Sequence, residues 1–408
     1  MMPIPYGRQS ITDEDIEAVI QTLKSDYLTQ GPKIKEFEEA FAAYIGSEYA
    51  VAVSNGTAAL HLNCIALGVK PGVKVITTPI TFAASANCVR YCGGEVVFAD
   101  IDPDTYLLDI SKVRELLEKS PKGTYSGIIP VDFAGRAVDL EAFRKLADEY
   151  GLWIIEDACH APGGYFVDSS KNQQSCGNGN FADLAIFSFH PVKHIAAGEG
   201  GMTTTNSKVL YEKLVMLRTH GIIKDDLKYQ NSVSFATGVN TGSAQEEQEQ
   251  VDYPGWYMEM QELGYNYRLT DIQAALGLSQ LGRAEKGLVR RKDIAEVYRD
   301  AFSGQDFVLS QSGVVVGHAY HLYVLEVKDR VGLYNFLRGK SIYAQIHYIP
   351  THLMPYYREL GWKEGDMPIA EEYYNNCISL PMYPTLSYDE QRFVIDTILL
   401  YYSEKNCS

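Results

Sequence analysis

The first residue whose setting suggests chemistry is a lysine that closes an apolar run. Lys193 ends Ser188-Phe189-His190-Pro191-Val192-Lys193 and is followed by His194-Ile195-Ala196-Ala197-Gly198-Glu199-Gly200-Gly201, so its flanks are mostly small or apolar and short of other cations. A poorly solvated ammonium has its pKa drawn toward neutrality, and a neutral amine is a nucleophile. Upstream, Leu152-Trp153-Ile154-Ile155-Glu156-Asp157 reads as a buried strand that delivers a carboxylate at its C-terminal end, where α/β sheets collect their ligands. Val51-Ala52-Val53-Ser54-Asn55-Gly56-Thr57-Ala58-Ala59-Leu60 reads as strand, tight turn and helix start, which leaves free N–H groups and the Thr57 hydroxyl where a phosphate dianion is favoured. Each part also has a plainer reading: a solvated loop lysine, an aspartate that caps a turn, Ser54 and Thr57 as helix caps. Their conjunction, in this order, matches pyridoxal 5'-phosphate (PLP), with Lys193 holding the aldehyde as a Schiff base and Asp157 pairing with the protonated pyridine nitrogen.

The elements that must position these groups alternate along the chain. Short β-branched segments near 49–53, 74–78, 95–99, 126–131, 152–157, 184–188 and 201–205 are separated by helical patterns, which predicts an α/β fold with a mostly parallel sheet and helices on both faces. Thr12, Asp139 and Thr270 each precede acids and an apolar-periodic run, marking three helix starts. After about residue 283 the pattern changes to a helix, a strand over 320–326 and further helices, which reads as a smaller α+β domain. Residues 1–282 are therefore expected to form a large domain and 283–408 a small C-terminal one. Two polar stretches, 169–180 and about 224–255 with its Gln245-Glu246-Glu247-Gln248-Glu249-Gln250 run, read as mobile surface loops.

Composition narrows the function. The 408 residues are 46% hydrophobic, enough for a large core, and no apolar stretch of about eighteen residues or basic, apolar leader is visible, so a cytoplasmic protein off the membrane is expected. Seven scattered cysteines argue against a disulfide framework and for a reducing compartment. Cys88 and Cys92 lack a second pair with nearby histidines, and no metal site is expected. With 52 acidic against 36 basic residues and a net charge of −16, nucleic acid is an improbable partner. An anionic substrate would then need local positive potential from helix N-termini, His347, Lys193 or arginines. A nicotinamide dehydrogenase fails at its motif, because no G-x-G-x-x-G follows the first strand.

Six ordered motifs carry a resemblance that runs nearly end to end: Leu28-Thr29-Gln30-Gly31, Thr77-Thr78-Pro79-Ile80-Thr81-Phe82, Ser188 to Lys193, Gly198-Glu199-Gly200-Gly201, Arg218-Thr219-His220-Gly221-Ile222 and Leu263-Gly264-Tyr265-Asn266-Tyr267-Arg268-Leu269-Thr270-Asp271. In these the chain resembles the DegT-type sugar-nucleotide aminotransferases, PLP enzymes of fold type I (aspartate-aminotransferase-like). That resemblance implies a large domain with a seven-stranded, mostly parallel sheet, a small domain joined by the N-terminal segment, and a homodimer with shared active sites. It also implies glutamate as amino donor and a nucleotide sugar as acceptor. Through Leu28-Thr29-Gln30, His160 and Gln345-Ile346-His347-Tyr348 it is greatest to the C4 aminotransferases of pseudaminic acid synthesis, whose acceptor is a UDP-linked 4-keto-6-deoxy sugar.

Position by position, the resemblance implies that Phe82 stacks on the pyridine ring and His160 contacts the ring hydroxyl. It assigns the phosphate to Gly56, Thr57 and Ser188, with Asn266 donated by a second subunit. Substrate contacts fall on Tyr6, Asp26, Tyr27, Leu28, Thr29, Gln345, Ile346, His347 and Tyr348. Core packing explains Phe82 almost as well, and a turn explains Asn266. His61 and His321 read as packing histidines and receive no role. His194 stands where relatives often carry threonine or proline, which removes no group the reaction needs. A deoxysugar dehydratase of the same fold would replace the Schiff-base lysine with histidine, so Lys193 speaks against it. A non-catalytic regulator that binds PLP or a nucleotide sugar is the third reading.

Overall fold

The computed structural model describes residues 3–238 and 252–406. Seven strands form the central sheet in the order Tyr49–Val53, Gly201–Thr205, Leu184–Ser188, Trp153–Asp157, Gly127–Ile129, Lys74–Thr77, Glu95–Phe98. All share one direction except Gly201–Thr205, which is antiparallel to both of its neighbours. The strands are buried on both faces and rich in apolar side chains, with Val51, Ile76, Ile128, Ile154 and Ile186 fully buried. Helices Gly56–Ala66, Ala84–Tyr91, Ile110–Glu118 and Leu140–Tyr150 supply the crossovers that parallel strands need. Each predicted strand of the sheet is present.

The helix starts follow the capping residues read from the sequence. Asp139 accepts a hydrogen bond from the Ala142 N–H (3.1 Å), and Thr270 and Gln273 form a reciprocal box at Asp271–Leu281. At Thr12 the backbone N–H donates to the Asp15 carboxylate (2.9 Å).

A second, three-stranded antiparallel sheet joins Val308–Gln311, Tyr323–Val327 and Cys377–Leu380. With helices Ala284–Phe302, Arg330–Gly339 and Tyr388–Asn406 it encloses its own core around Tyr298, Leu325, Leu337 and Ile378. Ile4 belongs to that core, because the N-terminal strand Ile4–Pro5 pairs in parallel with Ile342–Tyr343. The strand expected over 320–326 starts later, at Tyr323: Tyr320 has φ 48°, a left-handed conformation that interrupts extended backbone.

The 169–180 stretch is not the mobile loop its composition suggested. Tyr165–Val167 and Gln173–Ser175 pair as a hairpin, and Asp168 ties the turn by accepting from the Asn172 N–H (2.8 Å) and Gln174 Nε2 (2.7 Å). Asn206 then anchors it by donating to the Asn178 carbonyl (3.0 Å). Polar side chains that satisfy one another look loop-like in a sequence but order a fold. The Gln245 to Gln250 run lies outside the described residues. Its flanks are structured: Ile222–Ile223 pairs with Glu259–Met260, and the Tyr229, Tyr253 and Tyr257 rings pack together.

Candidate active site

A cavity of about 710 Å³ opens where the parallel strands end at their carboxyl sides. The Trp153–Asp157 strand delivers Asp157 to it, 5% exposed. Both carboxylate oxygens are held, Oδ2 by the Ser85 hydroxyl (2.6 Å) and Oδ1 by the Cys159 N–H (3.2 Å). The backbone is pinned to the neighbouring strand end, with the Asp157 N–H donating to the Pro130 carbonyl (2.9 Å) and the Asp132 N–H to that of Asp157 (3.0 Å). A carboxylate fixed this way presents its charge in one direction.

The turn after Tyr49–Val53 makes the second part. Asn55 caps helix Gly56–Ala66 by accepting from the Ala58 N–H (2.8 Å), so the plainer reading of Ser54 and Thr57 as the caps does not hold. The N–H groups of Gly56 and Thr57 and the Thr57 hydroxyl make no hydrogen bond with the described residues, and both residues line the cavity. They sit at the positive end of the helix dipole, a setting for a phosphate. Ser188, at the end of its strand, adds a hydroxyl from across the turn. This crowding requires glycine at 201, where a Cβ would lie 2.5 Å from the Asn55 carbonyl carbon, and is tight at 56, where one would lie 3.1 Å from the Ser188 Cβ.

Lys193 lines the same cavity, half-buried, and its Nζ makes no hydrogen bond with the described residues. Burial draws its pKa below the usual lysine range, and the Arg291 guanidinium adds to the effect, while Cys159 and Asp157 oppose it. The amine is therefore more nucleophilic than a surface lysine. Phe82 lines the cavity with 64% of its surface exposed, so it is not the core residue that packing alone would make it.

His160 accepts from the Ala134 N–H through Nδ1 (3.3 Å), which places the ring proton on Nε2, 3.3 Å from the Tyr348 hydroxyl. Burial pushes its pKa well below the usual value, so the imidazole is neutral. Because His160 Nε2–H is the donor in that contact, the Tyr348 hydroxyl proton is free to point elsewhere. His347 also lines the cavity, with Nδ1 2.9 Å from the Ser379 hydroxyl and its ring 5.1 Å from that of Tyr6. The expectation that His347 supplies positive potential is overturned: burial pushes its pKa down to about 3, leaving it neutral. No arginine lines the cavity among the described residues, so positive potential comes from the helix N-terminus and Lys193.

Other predicted residues lie elsewhere. Asp26, Tyr27, Leu28 and Thr29 are exposed between helices Asp13–Leu23 and Pro32–Ile45 and do not line the cavity; Thr29 bridges to Thr270, and Leu28 accepts from the Asp271 N–H. Asn266 is exposed, bridges to Thr219 and does not line the cavity, whereas its neighbour Tyr267 does. Gln345 is bonded through its backbone to Ser379, and Ile346 packs against both cores.

The structure adds residues that the sequence reading passed over. Ser85 lies in the first turn of helix Ala84–Tyr91, three residues after Phe82, with its N–H on the Phe82 carbonyl (3.2 Å) and its hydroxyl on Asp157. His61 and His321 line the cavity rather than pack inertly: His61 Nδ1 meets the Tyr267 hydroxyl (3.2 Å), and the His321 ring lies 4.3 Å from that of His160. No local signal marks either one; only the fold brings them in.

The groups present fit PLP: free N–H donors for a phosphate, a fixed carboxylate for a ring nitrogen, an uncovered aromatic for a ring face and an amine of lowered basicity for an aldehyde. Comparison with known proteins agrees. The model of the DegT/DnrJ/EryC1/StrS aminotransferase family matches residues 9–399. The UDP-4-amino-4,6-dideoxy-N-acetyl-beta-L-altrosamine transaminase of Campylobacter jejuni subsp. jejuni serotype O:23/36 (strain 81-176) is 34% identical over 97% of this chain and 96% of its own. Among solved structures, Helicobacter pylori PseC, an aminotransferase involved in the biosynthesis of pseudoaminic acid, has a TM-score of 0.83 at 28% identity, covering 98% of this chain and 100% of that one. Spr1654 of Streptococcus pneumoniae, in its PLP form, has a TM-score of 0.82 at 29% identity over 98% of this chain and 99% of that one. The chain belongs to the DegT/DnrJ/EryC1/StrS aminotransferase family and is a PLP-dependent sugar aminotransferase.

Proposed function

We propose that the enzyme moves an amino group from glutamate to the C4 ketone of a nucleotide-linked 4-keto-6-deoxy sugar, UDP-2-acetamido-2,6-dideoxy-hexos-4-ulose of the pseudaminic acid pathway. The observation that carries the reading is the Lys193 amine facing Asp157 and the free N-terminus of Gly56–Ala66 in one cavity. Supporting the substrate are the two pseudaminic-type relatives and the uncharged wall of Tyr6, His347 and Tyr348, which suits hydroxyls better than carboxylates.

When bound, PLP supplies an electrophilic aldehyde and a pyridinium sink for the electrons of the carbon that loses its proton. Gly56, Thr57 and Ser188 would hold the phosphate, and Asp157, braced by Ser85, would keep the ring nitrogen protonated. Phe82 would cover one face of the ring, and His160, whose Nε2–H donates to the Tyr348 hydroxyl, would stand beside the ring hydroxyl. Lys193 would act twice, first as nucleophile and then as the group that moves a proton in each half-reaction, taking one from the donor's α-carbon in the first and delivering one to C4 of the sugar in the second. Its lowered pKa serves both roles, since a base works best with a pKa near the working pH.

Asn266 and Asp26 to Thr29 are exposed and outside the cavity, and we assign them to the active site of a second subunit in a homodimer. We assign residues 1–282 to the large domain and 283–408 to the small one, with the Ile4–Pro5 strand joining the small one through its pairing with Ile342–Tyr343. The cysteines among the described residues are all unpaired, which fits a reducing, cytoplasmic setting. No described helix is long and apolar enough to cross a membrane.

A panel of nucleotide 4-ketosugars incubated with glutamate, read by product mass, tests the substrate. Amine gain on the UDP-linked N-acetyl sugar is expected, together with borohydride trapping of PLP at Lys193. Inactivity across the panel, or a trapped label on another residue, overturns the proposal.

A further inference from the structure

Behind Asp157 two carboxyl groups meet beside the Cys176 thiol, each with one buried oxygen that has no hydrogen-bond partner among the described residues. Glu156 precedes Asp157 in the Trp153–Asp157 strand, and alternation along a strand turns its side chain to the face opposite the cavity. Its Oε2 accepts from the Gly177 N–H (2.9 Å), while Oε1 is buried without a partner. Asp132, beyond the end of the adjacent Gly127–Ile129 strand, mirrors it: Oδ1 accepts from the Val138 N–H (2.8 Å), and Oδ2 is buried without a partner. Asp132 is 0% and Glu156 1% exposed, and a carboxylate oxygen of each lies within 4.8 Å of the other and of Cys176 Sγ. Asp132 also grips the catalytic strand directly through its N–H to the Asp157 carbonyl (3.0 Å).

Two ionised carboxylates this close in a dry site repel strongly, and two acceptors cannot satisfy each other without a hydrogen. We infer that Asp132 and Glu156 share one proton between Oδ2 and Oε1, and that this acid hydrogen bond makes them positioning residues for the strand end that carries Asp157. The positioning half rests on the proposed role of Asp157; the shared proton does not. Burial raises both carboxyl pKa values above the usual range, and for Glu156 the adjacent Asp132 charge raises it further. The ionisable groups that face the pair are Asp157 and Cys159 from the same strand and its continuation, and Cys176 from the segment after the hairpin. None is a cation, and burial holds the Cys176 thiol well above its usual pKa, hence protonated.

The sign of the pH dependence follows. The unfolded chain releases both protons near pH 4, while the folded pair retains one. Stability is then greatest on the acid side and is lost as pH rises, by about tenfold in the folded-to-unfolded ratio per pH unit, until the folded pair ionises. Asp132→Asn or Glu156→Gln replaces the shared proton with an amide N–H and keeps both the bond and the single charge.

Thermal unfolding and PLP retention of the holoenzyme between about pH 6 and 9 test this. The wild type should lose stability with rising pH more steeply than either variant, by up to about tenfold in the folded ratio per unit. Its infrared spectrum at neutral pH should show a protonated-carboxyl band that each variant lacks. Release of PLP, followed as decay of the Lys193-bound visible absorbance, should accelerate with pH in the wild type and not in the variants. Equal pH slopes in all three proteins, or no protonated-carboxyl band in the wild type, overturns the shared proton even where a variant folds poorly. Stabilisation by manganese or zinc ions that a chelator reverses assigns the site to a cation and overturns it as well. PLP release with the same pH dependence in all three proteins overturns the positioning role alone. An error in the role of Asp157 would surface in Asp157→Asn kinetics and leave the stability slopes untouched.

Discussion

The two walls of the cavity are made from different kinds of sequence. One consists of neighbouring strand ends and the turns that follow them, and its groups are held by short, mostly local bonds: Asp157 by Ser85 and Cys159, and the phosphate turn by the Asn55 cap. The other is Tyr6 with His347 and Tyr348, from opposite ends of the chain, brought together because Ile4–Pro5 pairs with Ile342–Tyr343. The first wall carries the site's charge and free donors. On the second, burial keeps His347 neutral and raises the phenol pKa values of Tyr6 and Tyr348, so it is polar without being charged. A charged cofactor belongs against the first, and a sugar with its hydroxyls against the second.

Damage to the first wall should cost most. Asp157→Asn keeps the shape of the side chain but removes the charge that stabilises a pyridinium, and kcat should fall by roughly 10²- to 10³-fold, the scale of losing one preorganised electrostatic group. Steady-state kinetics on PLP-saturated enzyme measure it; a near-normal kcat would reassign the ring nitrogen to another partner.

Ser85→Ala sharpens the contrast. It leaves the carboxylate in place but strips one of its two donors, a hydrogen bond to a charged group that contributes about 1.5–3 kcal/mol. The Kd for PLP, titrated by absorbance, should rise by about ten- to a hundredfold. An unchanged Kd would mean that the Cys159 N–H alone suffices to hold Asp157.

The same division explains what was legible in the sequence. Lys193, Asp157 and the Gly56-Thr57 turn stand in contiguous apolar-strand contexts whose physics is local, so residue order alone brought them to one sheet edge. The parallel sheet was readable for the same reason, as runs of β-branched residues at regular intervals. His321 and His61 were not readable, because their meaning lies in ring contacts with His160 and Tyr267, remote in the chain. Nor was the neutrality of His347, which depends on burial that no neighbouring residue announces. The hairpin at 165–175 was hidden by its polarity, since Asp168, Gln174 and Asn178 bond to one another and to the adjoining backbone instead of to water.

The smallest effect should come from the second wall, and its pattern matters more than its size. The His160 tautomer, fixed by the Ala134 N–H, makes Tyr348 the acceptor in their contact and leaves its own O–H to reach into the cavity. Tyr348→Phe removes one neutral hydrogen bond, a net contribution of about 0.5–1.5 kcal/mol, so kcat/KM for the ketosugar should fall roughly two- to tenfold. PLP affinity and the glutamate half-reaction should stay near wild type, because Tyr348 is assigned to the sugar and not to the ring. Single-turnover measurements of the two half-reactions separate these outcomes. Equal losses in both would place the Tyr348 hydroxyl, with His160, on the cofactor side and remove the distinction between the walls.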